Sequence, residues 1–157
     1  MRIVQLLLVF IFFASCSTNV EYTEYVSISD GWNKSQPVVF QFEQDSLAQK
    51  NMFIMLRNNE AYPFSNLFVI TRLEQPDNKV IIDTLQYEMA TPDGTWLGYG
   101  YSAVKESKLW YKEKFSFPAK GKYTLRIEQA MRKIGENEGI EQLEGITEVG
   151  LRIETIN

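Results

Sequence analysis

The chain has 157 residues, of which 45% are hydrophobic and 13% are aromatic, and this is enough apolar material for the core of one globular domain. It contains no histidine and a single cysteine, Cys16, which excludes histidine-dependent catalytic triads, zinc sites of the usual kinds and intramolecular disulfides. The formal net charge is −4 and Lys and Arg do not cluster, so we predict no nucleic-acid partner. Carboxylate pairs, a lysine base and oxygen-ligated metals remain conceivable, but we predict no enzyme, no metal site and no cofactor.

Residues 1–15 have the pattern of a secretory signal peptide. Arg2 precedes an apolar run over residues 3–13 that only Gln5 interrupts, and small residues follow it. The run has the length of a signal-peptide apolar core, about 7 to 15 residues, and is shorter than the roughly 20 residues that a bilayer crossing needs. We therefore expect this segment to be removed from the mature protein.

The segment "FASC", which ends at Cys16, resembles a bacterial lipobox, in which small residues precede a cysteine that becomes lipidated. Phe13 stands where Leu is usual. The resemblance implies cleavage before Cys16 and attachment of several acyl chains, which together anchor a protein stably in a membrane. We predict residues 16–24 as a lipidated tether and 25–157 as a single domain. The alternative is a plain secreted protein.

Apolar and polar residues alternate along most of the remaining chain, which predicts short strands separated by turns. Eight segments show this pattern: 20–28, 37–43, 51–59, 66–74, 80–89, 109–117, 123–131 and 146–156. In the sixth segment, Glu113 interrupts the apolar positions, which predicts a bulge or an edge strand. About eight strands with little helix favour an all-β fold, an antiparallel two-sheet β-sandwich of jelly-roll or related topology.

The connection "LRNNEAYPFSNL" joins two of these strands and contains a stiff Tyr62-Pro63 turn. Two interpretations are open: an elaborate loop between strands, which is the more common case, and a surface that contacts a partner. In the second interpretation Tyr62, Pro63 and Asn66 are the candidate contact residues.

The segment "DGTWLGYGYS", residues 93–102, is rich in glycine and aromatic residues. A phosphate-binding loop is excluded, because the third glycine, a Lys-Ser/Thr ending and a following helix are all missing. We expect a turn at its start and two later glycines that let the backbone pass close to Trp96. Trp96 and Tyr99 then cap one end of the core, with Trp96 pointing inward. The alternative is an exposed platform of Trp96, Tyr99 and Tyr101 for sugar rings.

The segment "RKIGENEGIEQLEG", residues 132–145, is polar and punctuated by glycines. Its glutamates lack the Asp/Asn alternation of a calcium-binding loop. We predict a solvated loop here.

Five segments in order resemble the gliding-motility lipoprotein GldH family of the Bacteroidetes: "FASC", "LRNNEAYPFSNLFV", "IDTLQYEMATPDGTWLGYG", "FPAKGKYTLRIEQAMR" and "LEGITEVGLRIE". The resemblance implies a lipid-anchored cell-envelope protein that acts without catalysis, through protein contacts in motility or the associated type IX secretion machinery. No acidic run follows Cys16, which resembles lipoproteins of the outer membrane that face the periplasm. A glycan-binding β-sandwich module on an envelope lipoprotein is the alternative.

Overall fold

The computed structural model describes residues 19–156, so the predicted signal peptide and Cys16 lie outside the described residues. This part of the chain forms strands and no helix. No helix with the length and hydropathy of a membrane span is therefore found between residues 19 and 156. The strands are β1 (Val20–Ser27), β2 (Trp32–Asn33), β3 (Val38–Gln44), β4 (Gln49–Asn58), β5 (Asn66–Glu74), β6 (Val80–Glu88), β7 (Lys105–Ser116), β8 (Gly121–Gln129), β9 (Gln142–Leu143) and β10 (Ile146–Thr155).

The long strands form two antiparallel sheets of four strands each. Sheet 1 has the order β1-β10-β4-β7 and sheet 2 the order β3-β8-β5-β6, while the short strands β2 and β9 pair with each other. When the eight long strands are counted along the chain, these orders read 1-8-3-6 and 2-7-4-5, which is the arrangement of a jelly roll. The predicted all-β sandwich of jelly-roll type is confirmed.

The core lies between the two sheets and is filled by the apolar positions of the alternating strands. In β8, for example, Tyr123, Leu125 and Ile127 are fully buried, whereas the residues between them are partly exposed. In β10, Val149, Leu151 and Ile153 face the core at every second position, and Ile146 at the start of the strand is also buried in it. This period of two is the pattern from which the strands were predicted, because successive side chains of a strand point to opposite faces.

Strand β7 lies at the edge of sheet 1 and is bulged. Its pairing with β4 shifts on both sides of Met52, so that β7 contains two more residues than the β4 segment opposite. One extra residue moves the following side chains of a strand to the opposite face of the sheet, and a second extra residue moves them back. Tyr111 and Phe115 therefore both face the core on either side of the exposed Glu113. The prediction of a bulge or an edge position at Glu113 is confirmed in both respects.

The side of the sandwich between the edge strands β6 and β7 is closed by polar contacts. Lys112 Nζ lies 2.9 Å from Asp83 Oδ2, and the Tyr87 hydroxyl donates a hydrogen bond of 2.7 Å to the carbonyl oxygen of Trp110. Asp83 is a charged residue among the apolar inward positions of an edge strand. Such residues oppose pairing of the edge with another chain.

The two ends of the sandwich differ in their connections. The short connections 45–48, 75–79 and 117–120 lie at the same end as Val20 and Thr155, and we call this the turn end. The connections 28–37, 59–65, 89–104 and 130–145 all lie at the opposite end, which we call the loop end. Strand β1 begins at Val20, inside the segment 16–24 that we predict as a tether.

Candidate functional site

The connection 89–104, at the loop end, begins with a tight turn. The backbone N–H of Thr91 donates to Thr95 O, and that of Gly94 donates to Thr91 O, each at 2.9 Å. The carboxylate of Asp93 accepts hydrogen bonds from the Thr91 hydroxyl and, at 3.2 Å, from the Thr95 N–H, and these bonds lower the pKa of Asp93. Gly94 has a φ of 87°, which favours glycine. The turn predicted at the start of this segment is confirmed.

Two later glycines let this connection lie directly against the beginning of β7. A Cβ atom on Gly98 would stand 2.8 Å from Ser107 Oγ, and one on Gly100 would stand 2.7 Å from Val104 O. The chain folds back on itself here and forms a β-bridge with the first residues of β7. The close backbone approach expected at these glycines is confirmed, but the nearest neighbour of both is the chain at the start of β7 and not Trp96.

The three aromatic residues of this connection have different environments. Trp96 is partly buried against the core, with its ring centroid 6.1 Å from that of Tyr62. Tyr99 is 84% exposed and Tyr101 is fully exposed. The prediction that Trp96 points inward is confirmed, but Tyr99 does not cap the core. The three rings consequently do not form a single exposed platform.

The connection 59–65 is fixed by Tyr62, which inserts into the core and is only 3% exposed. Its hydroxyl donates a hydrogen bond of 2.7 Å to Asn66 O, and burial raises the pKa of Tyr62 above its ordinary value. Gly145 packs so closely that a Cβ there would stand 2.1 Å from Tyr62 N. Tyr62 thus has a structural place in the loop and does not contribute to the surface, whereas Pro63 is exposed and Asn66 is half-buried.

Gln129, which is only 4% exposed, holds the base of the connection 130–145. Its Nε2 donates to Ile140 O at 2.6 Å, and its Oε1 accepts from the Met131 N–H at 3.0 Å. Met131 Sδ in turn accepts from the Phe68 N–H at 3.2 Å. The polar composition of residues 132–145 predicted only a solvated loop here. The available signal was a glutamine on the otherwise apolar face of β8.

A groove runs between the connections 59–65 and 130–145, and we call it the loop-end groove. It has a volume of about 510 Å³ and continues into a cavity of about 280 Å³, with Pro63, Phe64 and Lys133 common to both. Its apolar lining consists of Pro63, Phe64, Phe68, Met131 and Ile134, and Arg132 and Lys133 line it as exposed cations. Of the predicted contact residues, the groove includes Pro63 and Asn66.

Arg57 forms a second polar cluster on the outer face of sheet 1. Its Nε lies 2.7 Å from Glu106 Oε2, its Nη1 pairs with Glu148, and its guanidinium stands 4.5 Å from the centroid of the Tyr25 ring. The hydrogen bond with Glu106, and to a smaller extent the one with Glu148, raise the pKa of Arg57 above its ordinary value. No pattern in the sequence indicated this cluster, since Arg57 and Glu148 are 91 residues apart in the chain.

Among residues 19–156, no group of three or more cysteine or carboxylate side chains is arranged to hold a metal ion. The described residues thus form a small jelly-roll domain. Its long connections build a surface at the loop end, and β1 begins at the opposite, turn end.

Comparison with known proteins supplies the family. The family model described as "GldH lipoprotein" matches residues 20–153. A protein of Christiangramia forsetii named "Gliding motility lipoprotein GldH homolog" is 52% identical over 92% of this chain and 89% of its own length. The "Gliding motility lipoprotein GldH" of Flavobacterium johnsoniae is 47% identical over 95% and 93%, respectively. The chain belongs to the GldH lipoprotein family.

The likeness to solved structures is limited. A chain from the "Structure of infectious bursal disease virus Gx strain" aligns with a TM-score of 0.39 and 12% identity, over 85% of this chain and 30% of that chain.

Proposed function

We propose that this protein is a lipid-anchored component of the cell envelope that acts without catalysis, through protein contacts in gliding motility or the associated type IX secretion machinery. Its relatives carry the name of gliding motility lipoproteins. The observation that carries the proposal is the gathering of the connections 28–37, 59–65, 89–104 and 130–145 at the loop end.

Lipidation at Cys16 would hold the turn end towards the membrane, because Cys16 precedes Val20 by a few residues and β1 begins at that end. The eight residues of β1 extend over roughly 26 Å at about 3.3 Å per residue. The loop end then stands away from the lipid surface and is accessible to other proteins. We propose the outer membrane, with the domain facing the periplasm, as the location.

Two carboxylates of the domain, those of Asp83 and Asp93, are engaged in structural contacts, which supports a role without catalysis. Asp83 forms an ion pair with Lys112 across the side of the sandwich. Asp93 accepts hydrogen bonds within its own turn. Glycosidase chemistry would instead require a pair of carboxylates that face each other across a cleft.

Complementation of a Flavobacterium johnsoniae strain that lacks its own family member tests the proposal. We expect wild-type protein to restore spreading of colonies and secretion, and Cys16→Ser to fail although the domain is produced. Mass spectrometry of the mature N-terminus checks the lipid on Cys16. Crosslinking in cells, followed by identification of the bound proteins, checks the partner. Normal spreading and secretion in the strain without any family member would contradict the proposal.

A glycan-binding module is less well supported. Trp96 packs against Tyr62, so the predicted platform is reduced to the exposed Tyr99 and Tyr101. Binding of envelope polysaccharide that disappears in a Tyr99→Ser, Tyr101→Ser double variant would restore this alternative.

A further inference from the structure

We propose that the loop-end groove binds an extended segment of a partner protein in which an apolar side chain is flanked by carboxylates. This inference rests on the proposed function, because it specifies the chemistry of a partner that docks at the loop end.

Buried groups fix both walls of the groove before any partner binds. On one side, Tyr62 lies in the core and its hydroxyl is bonded to Asn66 O at 2.7 Å. On the other side, Gln129 holds the backbone of Met131 and Ile140. A groove with fixed walls loses little conformational entropy when a ligand enters, which favours binding.

Within the part of the chain that the structure describes, the two cations at the groove have no ion-pair partner. Arg132 and Lys133 are adjacent and exposed, and neither forms an ion pair with any residue in the range 19–156. Lys34, near the same end, is instead paired with Glu141 at 2.9 Å. Two free cations beside an apolar groove are complementary to acidic residues next to an apolar side chain. Glu144 lines the adjoining cavity, where its negative charge would repel a carboxylate. The carboxylates of the ligand therefore belong at the Arg132 end of the groove.

Ile134 adds an apolar contact that the protein itself leaves uncovered. Its side chain is fully exposed at the end of the groove. Covering it removes apolar surface from water, which is favourable.

Selection from a displayed library of random peptides tests the proposal with the full chain, purified in detergent. We expect enriched peptides to carry an apolar residue flanked by Asp or Glu. Binding of a fluorescent copy should weaken about tenfold in a variant with Arg132→Glu and Lys133→Glu. A peptide of the same sequence in which Lys replaces each Asp and Glu should bind this double variant more tightly than it binds the wild-type protein. Ile134→Ser should also weaken binding, whereas Ile82→Ser, which alters an exposed apolar residue outside the groove, should leave it unchanged.

The proposal is overturned if no peptide is enriched, if basic peptides are enriched, or if the groove variants bind the selected peptides as wild type does. Self-association of the protein that the same variants abolish would identify a second copy as the occupant and also overturn it. Full complementation by a variant that no longer binds the peptides would reject the groove and leave the proposed function standing. Normal spreading and secretion in a strain that lacks its family member would reject the proposed function, whatever the result of the peptide selection.

Discussion

The outer face of sheet 1 buries Phe53 and Met55 of its central strand β4 and exposes Trp110 above them, whereas the outer face of sheet 2 leaves several aliphatic residues exposed. On sheet 1, Phe53 and Met55 are each 3% exposed although they point away from the core. On sheet 2, Ile82 is 60% exposed, and Ile70 and Val80 are also exposed.

The cover on sheet 1 comes from neighbouring strands on both sides of β4. The ring of Trp110 lies 4.4 Å from that of Phe53, and Lys108 Nζ lies 4.0 Å from the same ring. Gly150 on β10 lets the Tyr25 ring lie flat on the sheet, because a Cβ there would stand 2.8 Å from Tyr25 Cδ1. Since Ile82 and Val80 belong to the edge strand β6, they have a neighbouring strand on one side only.

An outward position in a sandwich is therefore not equivalent to an exposed one. The outer face of sheet 1 contributes to stability as a second, smaller core. The outer face of sheet 2 contributes less and retains apolar surface that is free for contacts with other molecules.

The largest expected effect is the loss of an outward aromatic side chain. Phe53→Ala removes a buried ring and leaves a cavity, and we expect a loss of about 3 to 5 kcal/mol in the free energy of unfolding. Ile82→Ala is the matched control on sheet 2 and should change it by less than about 0.5 kcal/mol. Urea denaturation measures both. Equal losses for the two variants would remove the distinction between the faces.

A smaller effect is expected for the ion pairs. Arg57→Gln leaves Glu106 and Glu148 without their cation, and because these groups are partly exposed we expect a loss of about 1 kcal/mol that shrinks in high salt. Arg72→Gln on sheet 2 breaks a longer, 3.4 Å pair and should have almost no effect. A loss for Arg57→Gln that salt does not alter would show that the side chain acts through packing on Tyr25.

The smallest effect concerns pH. Burial raises the pKa of Glu154, but hydrogen bonds from Lys108 and Arg152 outweigh it and hold the pKa below the ordinary value. Because the folded-state pKa is lowered, this pairing stabilises the fold above the unfolded pKa of about 4.3, and the contribution is lost as the pH falls through the folded-state value. Glu154→Gln should therefore cost a few tenths of a kcal/mol at pH 7 and less at pH 3.

Urea denaturation of wild type and Glu154→Gln at the two pH values measures this difference. A destabilisation that stays constant down to pH 3 would assign it to lost packing instead of lost charge.

The alternation of apolar residues was sufficient to predict the strands, because it depends only on neighbours in the chain. All eight predicted segments overlap long strands, and the break at Glu113 marked the bulged edge. The turn at Asp93 and Gly94 was equally readable, since its hydrogen bonds join residues only a few positions apart. The family resemblance was also based on short segments of the chain, and the comparison with known proteins confirmed it.

Contacts between distant segments could not be read from the chain. The sequence showed glycines at 98 and 100 but not that they lie against β7, and it showed Tyr62 but not that this side chain is buried. It also showed Arg132 and Lys133 without the groove, whose opposite wall is formed some 70 positions earlier, at Pro63. The family and the all-β fold could be read from the chain alone, since both depend on short-range pattern. Which residues share a surface depends on the strand order, because this order brings together residues that are far apart in the chain.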